Sequence, residues 1–249
     1  MHLKNIILGM LLTVTPLFAS NAVFEEANKK YADQQYAEAL QLYRNLLTEG
    51  YQSTELYYNT ANAYFKLSDI PRAVLYYERA LLLNPANEDV KYNLKIAKAL
   101  TIDKIDTLPT YFWQDWMNAF RNWFSSDAWA VVSLTSFMLF LLLFAGFLYS
   151  GNPTIKKVGF MGGLGILIIS AIALNQALNA QEAATAKNTG VIMAASSTAK
   201  SAPDNNSTTL FTIHEGCKVF IEDKTTEWVE IKLENGEVGW IKADDLEVI

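Results

Sequence analysis

Cysteine is almost absent from this chain: Cys217 stands alone in 249 residues. One thiol cannot close an internal disulfide or supply a zinc cluster. Basic runs are missing too. The formal net charge is −6 and Lys and Arg are scattered, so there is no footprint for nucleic acid, which needs clustered cations to displace counterions. The sequence has no His/Cys or His/Asp constellation, no metal-spaced cluster and no glycine-rich phosphate loop between a strand and a helix. Gly162-Gly163-Leu164-Gly165 lies inside an apolar run instead. No enzyme activity, cofactor or metal is therefore expected. Charge is scarce at 18%, and 51% of residues are apolar. The apolar excess falls in three blocks, near residues 6–19, 128–150 and 158–178.

The first block reads as a secretory signal peptide over 1–22. Lys4 and the amino terminus give a positive start, Ile6–Phe18 an apolar core, and Ala19, Ser20 and Ala22 the small residues a peptidase cuts. An uncleaved anchor is the alternative, and either reading exports the segment after Ala22. No Cys stands directly after the apolar core, so this is not a lipoprotein signal.

Residues 23–106 carry a 34-residue period. Ala39 and Ala73 are one period apart, as are Tyr43 and Tyr77, and Ala27 aligns with Ala61. Small residues stand where paired helices cross closely, tyrosines fill the space between repeats, and Pro85 stops the second repeat. The pattern resembles the tetratricopeptide repeat, an all-α module. A third unit, through Val90, Leu94 and Ala97, supplies one helix that reads as a cap. Such stacks want about three repeats, so two and a half imply help from a partner or the membrane. The resemblance implies a peptide-binding concave face, on which Asn28, Tyr31, Tyr58, Asn62, Phe65, Lys66 and Tyr92 are placed. Tyr31 and Phe65 would equally serve as packing between helices.

Residues 107–127 form an aromatic collar. Trp113 and the series Phe112, Trp116, Phe120 and Trp123 at helical spacing suggest a helix lying in the membrane interface, where rings sit in the apolar zone with polar tips wet. A soluble amphipathic helix is the alternative. Residues 128–150 and 158–178 are each long and apolar enough to span a bilayer. The connector 151–157 holds Lys156 and Lys157 and is expected on the cytoplasmic side. Gly159 and Gly163 allow close helix contact, and no ionisable residue near mid-span suggests an ion pathway. Both flanking modules are then expected in the periplasm, on the inner membrane of a bacterium.

After a polar linker over 179–187, residues 188–249 turn to short alternating runs. Gly190–Met193, Phe211, Val219–Ile221, Trp228–Leu233 and Gly239–Ile241 are candidate strands. Ser196–Thr209 is expected as a long loop and Asn235-Gly236 as a hairpin turn. The order Leu210-Phe211, His214-Glu215-Gly216, Glu227–Ile231 and Gly239-Trp240-Ile241 resembles bacterial SH3-like barrels. That likeness implies an all-β barrel with Trp228 and Trp240 at a binding groove, though both are equally suited to core or rim packing. His214 reads as a turn residue and Cys217 as a small apolar one.

The fold class expected is thus a multidomain membrane protein: tetratricopeptide module, two-helix transmembrane hairpin and C-terminal SH3-like barrel. The succession of parts, with Tyr76–Leu81, Asp89–Leu94, Thr101–Ile105 and Ser125–Trp129, resembles the BatE family of Bat (aerotolerance operon) proteins. That resemblance implies a non-enzymatic scaffold in an envelope complex with von Willebrand-type and MoxR-linked partners. A peptidoglycan-binding or envelope-sensing module is the second reading.

Overall fold

The computed structural model describes residues 21–105 and 111–249; most of the expected signal peptide lies outside the described residues. Two compact bodies emerge. One comprises 21–81, 88–105 and 188–249, the other 82–87 with 111–187.

The first body begins with antiparallel helices: α1 over residues 21–32, α2 Tyr36–Thr48, α3 Thr54–Lys66, α4 Ile70–Leu83 and α5 Glu88–Ala99. The 34-residue period is visible in the backbone itself. Gln34 and Ser68, one period apart, hold left-handed φ of 62° and 63° at the two turns inside the helix pairs. Between pairs, Gly50 takes φ 90° after α2, a conformation that costs glycine little. Ser53 then caps α3, its hydroxyl accepting from Leu56 N at 3.1 Å. Ala27, Ala39, Ala61, Ala73 and Ala80 are fully buried where helices cross.

The remainder of this body is a seven-stranded antiparallel sheet: β1 Thr189–Ile192, β2 Ser196–Lys200, β3 Thr209–His214, β4 Lys218–Lys224, β5 Trp228–Lys232, β6 Val238–Lys242 and β7 Leu246–Val248. The order is β3-β2-β6-β5-β4-β1-β7. The Asn235-Gly236 turn joins β5 to β6, with Gly236 at φ 89°. The expected loop over Ser196–Thr209 needs correction: its first five residues form β2, paired with β3. Ser, Thr and Ala there alternate exposed and buried, and Ser197 and Ala199 face the core. The polar composition concealed that two-residue period.

The repeats and the sheet are not separate modules. Val191 lies in one buried cluster with Ala73, Val74, Leu75, Tyr77, Val90 and Leu94, and Met193 and Ile249 pack against it. Ile105, beyond α5, packs in turn on the sheet's own core of Ile192, Ile213, Val219, Val229, Ile231 and Ile241. The short stack therefore finds the cover it needs within its own chain.

The second body holds α6 Phe112–Arg121, α7 Ser126–Tyr149 and α8 Pro153–Thr185. Both α7 and α8 are long and apolar enough to cross a membrane. They pack together closely. A Cβ on Gly159 would come within 2.6 Å of Leu143 O, and Gly163 faces Phe140. Ser133 and Ser170 exchange bonds, each hydroxyl donating to the other's carbonyl at 3.0 Å. The expected 151–157 loop is shorter than its composition suggested. Asn152 caps α8, Pro153 occupies its first turn, and Lys156 and Lys157 are helical. At 33 residues, α8 also takes in most of the expected 179–187 linker, whose alanines favour helix.

Candidate functional site

A cavity of about 280 Å³ opens on the repeats, lined by Tyr31, Tyr58, Asn62, Phe65, Lys66, Tyr77, Asn93 and Ile96. The repeat period sets the lining. Tyr31 of α1 and Phe65 of α3 occupy equivalent positions, as do Asn28 and Asn62. Five of the residues placed on the concave face from sequence come together here. Asn28 and Tyr92 are not in the lining. Tyr92 stands 67% exposed on α5, one helical turn from Ile96.

A polar ladder repeats with the same period. Asn28 Oδ1 accepts from Tyr43 Oη at 2.8 Å and from Asn59 Nδ2 at 2.9 Å. Asn62 Oδ1 accepts from Tyr77 Oη at 2.6 Å and from Asn93 Nδ2 at 3.1 Å. Both asparagines thus spend their oxygens on the fold. What Asn62 offers a ligand is its amide N–H. Asn93 Nδ2 also donates to Tyr58 Oη at 2.9 Å, which turns the Tyr58 hydroxyl hydrogen toward other acceptors. Burial pushes the Tyr31 and Tyr77 hydroxyls up, so both stay neutral. Lys66 is then the charged member of the lining, and the wall presents N–H and O–H donors beside rings. Asn93 and Asn59, one period apart, were overlooked in the sequence. The regularity of Asn59 and Asn93 was the available signal.

A second polar cluster joins the helices to the sheet. Glu78 of α4 is 6% exposed. Its Oε1 lies 2.7 Å from Lys98 Nζ of α5, and its Oε2 lies 2.7 Å from Lys218 Nζ of β4. Burial pushes the Glu78 carboxyl up, but the two ammonium groups outweigh it and hold it below the usual range. Arg79 Nη2 donates to Val248 O at 2.7 Å and pairs with Glu247 at 3.2 Å. Asp103 accepts from His214 N at 2.6 Å and faces its Nδ1 at 3.0 Å. His214 is thus the last residue of a strand and a docking group, where a turn residue was expected. No spacing in the sequence could pair residues so far apart.

On the sheet, Trp228 is 6% exposed and Lys242 Nζ stands 4.0 Å from the centre of its ring. It presents no open face. Trp240 is half-buried and lies opposite Glu230 and Lys200. In the second body, Trp113, Trp116 and Trp123 are exposed, while Phe120 packs on Trp123 and Trp129. Trp123 falls beyond α6, which ends at Arg121. Cys217 is buried, and burial, with Asp103 and Glu234 nearby, pushes its thiol up to about 12. Among the described residues, no His, Cys, Asp and Glu group could hold a metal. No curated protein matches the chain. One family description does match part of it: residues 54–87, which span α3 and α4, match the tetratricopeptide repeat, a module of protein–protein interaction.

Proposed function

We propose that this protein is a membrane-anchored, periplasm-facing scaffold that holds an extended peptide segment of a partner in the repeat groove. The observation that carries this reading is the cavity over Asn62, Tyr58 and Lys66, whose donors suit backbone carbonyls and an acidic side chain. The anchor is the α7–α8 hairpin, with the α6 aromatics in the interface. Placement of both flanking parts on one side is supported by their shared core, because a body built from residues before and after the hairpin needs both on the same face. Lys156 and Lys157 at the connector support a cytoplasmic turn. The chain divides by role into the body of repeats and sheet and the α6–α8 body, with an SH3-like barrel proposed as the form of the C-terminal sheet.

The resemblance to BatE supports a finer reading. The scaffold would serve a Bat-type aerotolerance or stress complex, with von Willebrand-type and MoxR-linked membrane proteins as its partners. Pull-down of the full chain from detergent-solubilised membranes tests both levels. Capture of Bat-type partners that Lys66→Glu and Asn62→Asp abolish is the expected result. Capture indifferent to both substitutions removes the groove from the function. A cell-wall reader is the second reading, favoured by half-exposed Trp240 between Lys200 and Glu230. Its test is retention of the chain on purified peptidoglycan, lost in Trp240→Ala.

A further inference from the structure

Helix α5 repeats α3 one period later: α3 starts at Thr54 and α5 at Glu88. Tyr58, Asn62 and Lys66 of α3 therefore recur as Tyr92, Ile96 and Leu100. The aromatic ring is kept, but the amide and the ammonium give way to aliphatic side chains. The first repeat carries Asn28 where the second carries Asn62, so the departure belongs to the third unit.

Spaced four residues apart, Tyr92, Ile96 and Leu100 share one face of the helix. Leu100 stays on it because its N–H bonds to Ala97 O at 3.0 Å and prolongs the last turn. Ile96 is 38% exposed and Leu100 59% exposed. A different face of α5, made of Val90, Leu94 and Ala97, is the one buried against α4 and the sheet. The exposed stripe is not the scar of an unfinished stack. Where a second helix does follow, as α4 follows α3, it leaves Tyr58, Asn62 and Lys66 lining an open cavity. A completed third repeat would leave their counterparts open in the same way. Ile96 lines that cavity together with Lys66. Asn93 Nδ2 ties the two walls, donating to Tyr58 Oη and Asn62 Oδ1. One groove thus has a charged, polar wall on α3 and an apolar wall on α5.

Taking the groove as the peptide site proposed above, we infer that it selects its peptide by two side chains at once. An acidic residue is held at Lys66, and an aliphatic or aromatic residue is seated on Tyr92, Ile96 and Leu100. Lys66 sets the sign of the occupant, for it has no ion-pair partner among the described residues. The stripe sets the second residue, because an apolar side chain placed there takes exposed Ile96 and Leu100 out of water with it. Packed helices lie about 8–10 Å apart, and an extended peptide advances about 3.3 Å per residue. The acidic and apolar residues therefore stand about three positions apart.

The test uses the full chain in nanodiscs and a phage-displayed library of random peptides. Clones that bind the wild type but not Lys66→Glu report the groove. They should carry Asp or Glu with Leu, Ile, Met or Phe about three positions away. A synthetic peptide from this set should bind the double variant Ile96→Asn with Leu100→Lys about tenfold more weakly, since those substitutions give α5 the residues of α3. Replacing the peptide's apolar residue by Glu should reverse the preference, so that the double variant binds it more tightly than the wild type does. Both substituted side chains are exposed, and an unchanged thermal melt shows that the variant is folded. Groove-dependent peptides with no apolar preference overturn the inference and leave the groove as a peptide site. So does an affinity indifferent to the double substitution. If no peptide depends on Lys66, the groove reading and this inference fall together.

Discussion

Glu78 and Lys218 lie 140 positions apart in the chain, yet their side chains meet at 2.7 Å beneath the junction of helices and sheet. Lys98 completes the triad from the neighbouring helix. A buried carboxylate between two ammonium groups is expensive to disturb, because removing one partner strands the others without water.

Glu78→Ala should therefore cost about 3–5 kcal/mol of unfolding free energy, read from urea denaturation of the full chain in micelles. Glu78→Gln keeps the volume and should cost less. Equal stability of Glu78→Ala and the wild type would remove the triad from the account.

The same carboxylate gives a pH dependence. Its folded pKa lies below the ordinary 4.5, so its stabilisation is present above about 4.5 and is lost as pH falls through the folded value. Denaturation midpoints should drop more steeply below pH 4.5 in the wild type than in Glu78→Gln. Parallel curves would contradict this.

Gly216 is held by two constraints at once. Its φ is +81°, and an added Cβ would stand 2.6 Å from Thr101 Cγ2. Gly216→Ala should destabilise by more than about 1 kcal/mol. Adding Thr101→Ser removes the clashing methyl but keeps the hydroxyl that donates to Lys98 O. Part of the loss should then return, and the part that does not is the backbone strain.

In the groove, Asn62→Leu removes the acceptor of Tyr77 and Asn93, at a cost of about 1–3 kcal/mol. Asn62→Asp keeps the acceptor and should leave the fold near wild-type stability. Thermal melts of the two variants separate the ladder's structural part from the donors it leaves for a ligand.

Within the hairpin, Gly159→Leu should separate the helices, because even a Cβ would meet Leu143 O. Gly165→Ala meets nothing within 4 Å and should be silent. Cross-linking between cysteines placed on α7 and α8 reports the difference: it should fall in Gly159→Leu and hold in Gly165→Ala.

Local periodicity made much of this molecule readable in advance. The alanines and tyrosines at 34-residue spacing mark α1–α5, the uncharged runs mark α7 and α8, and Asn235-Gly236 marks the β5–β6 turn. Five of the residues that the tetratricopeptide resemblance placed on the concave face line one cavity. What escaped was of two kinds. β2 is built of Ser, Thr and Ala, so its alternation carries almost no hydrophobic contrast. The Glu78, Arg79 and Asp103 contacts join segments separated by the whole hairpin. Such pairs leave no trace in local spacing.

The burial of Val191, Met193 and Ile249 against the repeats has a consequence for how the chain matures. Residues 21–105 are synthesised first, but the surface around Val74 and Leu75 acquires its cover when the strands after 188 arrive. Between those moments the whole of α6, α7 and α8 is made. The repeats thus wait, with apolar surface open to water, for the last quarter of the chain to be delivered. A chain that stopped after α8 would keep that patch bare.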